Sequence, residues 1–151
     1  MSYRGKLIPL ALLATGAGLV MAAGPWSPVQ ENFRLISVAG KALPVVVEQE
    51  GECREEVQSA MLTLDPNGKW SLVVTEKEIC GTNQDNEEER EHGTYKVNGA
   101  TVQFFDEDGK PTVSDADDGE LDVADLREGT RSSDGLTVRL ADGKTDLIFR
   151  K

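Results

Sequence analysis

From residue 33 onward, apolar and polar side chains alternate in short runs cut off by Gly, Asp, Asn or Pro, and helical spacing is almost absent. Alternation of period two puts successive side chains on opposite faces of a strand. The pattern therefore predicts an all-β chain, with strands at 33–38, 45–50, 59–64, 69–75, 93–97, 100–105, 120–126, 135–140 and 144–150.

Three hairpins test the pattern, because a wrong register would throw apolar residues onto opposite faces of paired strands. In HGTYKVNGATVQF, a two-residue Asn98-Gly99 loop sets Val97 opposite Ala100 and Tyr95 opposite Val102, so Tyr95, Val97, Ala100, Val102 and Phe104 share a face. In MLTLDPNGKWSLVV, a loop of Pro66, Asn67 and Gly68 pairs Asp65 with Lys69 and gathers Leu62, Leu64, Trp70, Leu72 and Val74. In GLTVRLADGKTDLIFRK, an Asp142-Gly143 turn sets Leu136, Val138 and Leu140 beside Thr145, Leu147 and Phe149. The opposite faces carry Ser71, Thr75, Lys96, Gln103, Arg139, Asp146 and Arg150, as a wet side should.

Eight or nine strands, each joined mainly to its neighbour and apolar on one side, expose that side in an open sheet. Closing the meander hides it and removes the edges, which predicts a small antiparallel up-and-down β-barrel of about 8–9 strands. A two-sheet sandwich is the alternative, but it asks for longer crossing connections than most of these turns provide. Connections in a meander alternate between ends. The turns at 40–44, 66–68 and 98–99 are thus expected at one end, and long loops at 51–58, 76–91 and 106–119 at the other. The latter three hold sixteen carboxylates against Arg54, Lys77, Arg90 and Lys110.

The first residues change the picture of where the chain works. Arg4 and Lys6 precede an apolar run from Leu7 to Met21, followed by Ala22, Ala23 and Gly24. This is the layout of a signal peptide, too short and too rich in Pro and Gly for a full membrane span. The reading is a signal-peptide helix at 1–23, a linker at 24–32 and one barrel domain at 33–151, exported to a periplasm or the extracellular space, without stable membrane insertion after cleavage, and monomeric. Removing residues 1–23 takes two bases and no acid, so the charge goes from −11 to −13. Such a charge argues against nucleic acid, which carries the same sign, and leaves cationic partners and metal ions open. Cys53 and Cys80, an even pair in an oxidising compartment, are expected to form a disulfide.

No motif specifies a reaction or a cofactor. His92 is the single histidine, no Ser sits in a nucleophile elbow, and aromatics are too few for a glycosidase cleft, so no catalytic residue is assigned. DNEEEREH reads as a solvated loop or a recruiting patch for a cationic peptide or ion. In FFDEDGKPTVSDADDGELD, Asp106, Asp108, Asp115, Asp117 and Asp118 are the right ligand types for a hard cation such as calcium, but Gly119 falls one position early for an EF-hand. The inward aromatics either fill the barrel or wall a small cavity.

FRLISVAGKALP, MLTLDPNGKW, HGTYKVNGATVQF and the closing GLTVRLADGKTDLIFRK together resemble small secreted bacterial lipocalin-like β-barrel proteins across most of residues 33–151. The G-x-W of true lipocalins is not at the first strand; Trp26 lies before it. The resemblance implies a barrel more than a transport role, so the leading expectation for function does not rest on it. That expectation is a non-enzymatic exported barrel holding a small apolar or amphipathic molecule against Trp70, Tyr95, Phe104, Leu147 and Phe149. The alternative is a module whose acidic loops dock a cationic protein or peptide, and the third is metal binding at those loops.

Overall fold

The computed structural model describes residues 29–113 and 121–151; the expected signal peptide and most of the linker, at 1–28, lie outside them, as does 114–120. The strands are β1 (Glu31–Val38), β2 (Lys41–Ala42), β3 (Val45–Glu50), β4 (Cys53–Leu64), β5 (Lys69–Cys80), β6 (Asn83–Asn98), β7 (Thr101–Phe105), β8 (Leu126–Arg131), β9 (Gly135–Leu140) and β10 (Asp146–Arg150). From β3 to β10 each strand pairs antiparallel with the next, and β10 pairs with β1. The ring closes where Glu31–Arg34 of β1 meets Leu64–Met61 of β4, giving an antiparallel barrel of eight strands. Beyond that seam the wall forks. The second half of β1 takes β2 as its neighbour, and the first half of β4 takes β3.

The core is the apolar face the alternation defines. Phe33, Leu62, Leu72, Phe104, Leu126, Leu136, Leu147 and Phe149 are fully buried and form one contiguous cluster with Trp70 and Val138. Leu64 faces Trp70 across the 66–68 turn, and Leu147 and Phe149 face Val138 and Leu136, as the second and third hairpins require. In the first hairpin the turn falls on Gly99-Ala100, with Asn98 opposite Thr101 and Tyr95 opposite Phe104. Relative to the expected register this is a slip of two residues, which preserves the face; Gly99, at φ +62, takes the left-handed position that Asn98 was expected to share.

Three expectations are corrected. The segments 51–58 and 76–91 are not long loops: β4 begins at Cys53, β5 runs to Cys80 and β6 starts at Asn83, joined by two-residue turns at Gly51-Glu52 and Gly81-Thr82. Glu-rich runs have weak strand propensity, and here both faces carry polar residues, so the apolar alternation that marks a strand is missing. The strand expected at 120–126 begins instead at Leu126, after a turn that buries Val123 and Ala124. Its sequence, LREGTR, hides the inward positions because a bulge follows Leu126 and the next inward residue is Gly129, where an added Cβ would lie 3.1 Å from Leu136 and 3.4 Å from Phe104. Finally, β2 reverses the chain once more than expected, so the 39–40 turn lies with the 51–52 and 81–82 turns, away from 66–68.

Candidate functional site

β4, β5 and β6 rise past the closed barrel as long hairpins, with β3 along the edge of β4. Which side chains face the continuation of the barrel interior follows from the ladder. On β5 the inward series Trp70, Leu72, Val74 runs on unbroken to Glu76 and Glu78. Opposite these on β6 stand Gly93, Glu91, Glu89, Glu87 and Asp85. The inner surface thus changes from aliphatic to acidic within one turn of register.

Two bulges bring the other strands into the same phase. On β4 the inward series Leu64, Leu62, Ala60 would continue through Gln58, Glu56 and Arg54. The irregularity between Val57 and Ser59 instead turns Val57 and Glu55 inward and sends Arg54 and Glu56 to the outer face. On β3 the irregularity between Val46 and Glu48 does the same, turning Glu48 and Glu50 inward and Gln49 outward. One row across four strands therefore reads Glu48, Glu55, Glu78, Asp85, each the direct partner of the next. Like charges directly opposite destabilise a sheet, by a few tenths to about 1 kcal/mol per pair.

The cations of these strands lie on the other face. Arg54 binds Glu56 at 2.7 Å, Arg90 pairs with Glu88, and Lys77 is the ladder partner of Glu56. Alternation thus sorts Glu87, Glu89 and Glu91 from Glu88 and Arg90 within a single strand. Leu121 and Asp122, from the connection into β8, close the acidic face into a cleft of about 390 Å³ lined also by Glu55, Glu76, Glu87, Glu88 and Glu89. A smaller depression of about 70 Å³ lies between Glu48, Glu50, Glu55 and Glu78 and is bordered also by Cys53 and by Arg54, the one cation among the described residues that reaches it.

Two carboxyls in the cleft, Glu76 and Glu89, hold their protons more tightly than free ones. Partial burial pushes Glu76 up to about 7, with Glu55, Glu89 and Asp122 adding repulsion. Glu89 is raised in the same direction by burial and by Asp122, Glu91, Glu55 and Asp125. At the far end of the barrel charges are balanced instead. Glu31, nearly buried, pairs with Arg131 and takes Lys151 Nζ at 2.7 Å, tying β1, β8 and the last residue together.

The remaining expected site residues fall as follows. Cys53 and Cys80 form the disulfide, as direct partners across β4 and β5 at the rim of the acidic face. Together with Glu78 they cluster like metal ligands, but bonded sulfurs offer no thiolate. Asp106 accepts the Lys110 N–H at 2.8 Å and its carbonyl accepts the Gly109 N–H at 3.0 Å, and Asp108 lies 3.7 Å from Lys110, so both sit in a tight turn. Asp115, Asp117 and Asp118 lie outside the described residues. Trp70, Phe104, Leu147 and Phe149 are buried in the core and Tyr95 is half-buried against it. The polar groups of the two amphipathic rings have protein partners: Trp70 Nε1 donates to the Phe105 carbonyl at 3.0 Å and the Tyr95 hydroxyl to the Asp65 carbonyl at 2.6 Å. His92 Nε2 lies 2.6 Å from Glu107, both exposed. The sequence already gathers Glu55, Glu76, Glu87 and Glu89 at one acidic end; what it misses is Glu48 and Asp122, which lie outside those segments, and the strand alternation that turns Glu87, Glu89 and Glu91 to one face.

No protein-family model, no curated protein and no solved structure matches the chain.

Proposed function

We propose that this protein is a non-enzymatic exported binding module that docks a cationic partner, a peptide or a basic protein segment, in the acidic cleft of β3 to β6. The signal-peptide pattern and the disulfide support export. The observation that carries the docking is the sorting of charge between faces. Glu55, Glu76, Glu87 and Glu89 point into one cleft while Arg54, Lys77 and Arg90 lie behind it. A merely soluble surface would mix its signs. Carboxylates gathered against the sheet rule cost stability unless a cation offsets them, so a partner gains what the free protein lacks.

The interior aromatics are assigned to packing, since Trp70 lies edge-on to Phe104, with centroids 5.9 Å apart, inside a continuous core. Calorimetric titration with a lysine-rich peptide, with calcium as the control, tests the assignment. The expected outcome is binding that weakens at least tenfold in the variant carrying Glu76→Gln, Glu87→Gln and Glu89→Gln, and is unchanged by Glu56→Gln on the outer face. Equal affinity in all variants, or a response to calcium alone, counts against it.

A further inference from the structure

Among the described residues the acidic face ends at an edge strand. β3 is the last strand of the sheet order and hydrogen-bonds to β4 alone among the described strands. Its lower end stands near the level of β2, while Val46–Glu50 rises beyond it, leaving about five residues, or roughly 17 Å, of open backbone edge. Native proteins normally blunt such an edge with charge, a bulge or a cover. Here the bulge at Val47 and the charges of Glu48 and Glu50 are present, but the charges point to the cleft side.

We infer that Val46–Glu50 is a strand-addition edge, onto which an extended peptide with basic residues at alternate positions pairs, laying those residues on the acidic face. This inference rests on the cleft reading above and specifies its mode. The occupant follows from charge complementarity along the edge. A strand added beside β3 places every second side chain about 5 Å from Glu48 and Glu50, at the end of the row that continues through Glu55 and Glu78. The intervening side chains fall on the outer face, where Val46 is 45% exposed and Gln49 is also open. The matching sequence is basic, apolar, basic, apolar. A second copy of this chain would instead set Glu48 and Glu50 against their own kind, so the same carboxylates that repel self-pairing select a basic strand. Main-chain hydrogen bonds supply affinity and the alternating pockets supply specificity, as in other strand-addition complexes.

Three synthetic decapeptides separate the possibilities, using the intact disulfide-closed protein. One alternates Lys with Val, the second has the same composition with its lysines in one block, and the third is the alternating peptide with alternate backbone amides N-methylated on the edge that would face β3. The expected result is binding of the alternating peptide, at least tenfold weaker binding of the blocked and the N-methylated peptides, and slowed hydrogen exchange at Val46–Glu50. Equal, salt-sensitive binding of all three overturns strand addition and leaves the cleft reading standing. No binding by any of them overturns both.

Discussion

At the residue scale two positions show how closely side-chain identity is tied to place. Gly93 faces Trp70 across the β5–β6 ladder, and a Cβ there would lie 2.0 Å from the Phe105 carbonyl oxygen and 2.7 Å from Trp70 Nε1. The absence of a side chain is what lets the indole reach across β6 to hydrogen-bond β7. Gly93→Ala is therefore expected to cost about 2–3 kcal/mol, read from urea unfolding midpoints, by the overpacking it forces. Glu76 makes a prediction of the opposite kind. Its carboxyl is raised to about 7 by burial and by Glu55 and Glu89, with Asp122 also adding repulsion, so between about pH 4.5 and 7 the folded state binds a proton the unfolded chain has released. Stability is then present at the acid side of that window and declines as pH rises through it. Glu89 works in the same direction, whereas Asp146, held low by its hydrogen bond to Arg139, is ionised throughout. Urea midpoints should fall from pH 5.5 to pH 8, and Glu76→Gln should flatten part of that slope; an unchanged slope excludes Glu76 as its source.

At the element scale the hairpins of β3 to β6 depend on ladder hydrogen bonds and one covalent tie rather than on burial. The inward Leu72 and Val74 give way to Glu76 and Glu78, so the outer part of β5 has little apolar area to hold it beyond Ile79, which is buried on the opposite face and lies outside the core cluster. The disulfide joins Cys53 to Cys80 at a sequence separation of 27, which in the chain-entropy model corresponds to about 3 kcal/mol or slightly more. Replacing both cysteines by Ala should leave the barrel folded. Hydrogen exchange should speed up along 53–57 and 76–86 while the amides around Phe104 and Phe149 stay protected. Uniform loss of protection would show instead that the extension and the barrel unfold as one unit. What was legible in the sequence divides along the same line. Where one face is dry, as in MLTLDPNGKW and GLTVRLADGK, alternation gave strand, face and register together. Where both faces are wet, as in the run from Asn83 to His92, the strand was invisible and the charge looked like a loop. The bulges after Val46 and Val57 were hidden too, because neither Val47 nor Gln58 is a residue whose chemistry demands one. Yet they decide whether Arg54 or Glu55 enters the cleft.

At the scale of the whole molecule, nearly all the excess charge is gathered at one end of an otherwise ordinary barrel, and this gives salt two opposed effects. Among the free protein's carboxylates, Glu76 and Glu87 in one row and Glu48, Glu55, Glu78 and Asp85 in the next repel one another across adjacent strands, and added ions screen that repulsion. The unfolded chain spreads the same charges apart and gains less from screening. The thermal midpoint of the free protein should therefore rise as sodium chloride goes from about 10 mM to about 300 mM, a range over which the Debye length contracts from roughly 30 Å to well under 10 Å. Affinity for a cationic peptide should fall over the same range, because the attraction between cleft and partner is screened by the same ions. A surface on which acids and bases were evenly mixed would show neither trend strongly, and a partner held by the apolar interior would show the first without the second. Differential scanning calorimetry of the free protein and peptide titrations at matched salt thus provide one paired measurement. If the midpoint rises and the affinity falls, and both slopes shrink together in the variant with Glu76, Glu87 and Glu89 changed to Gln, then the charges that strain the sheet are the charges that bind.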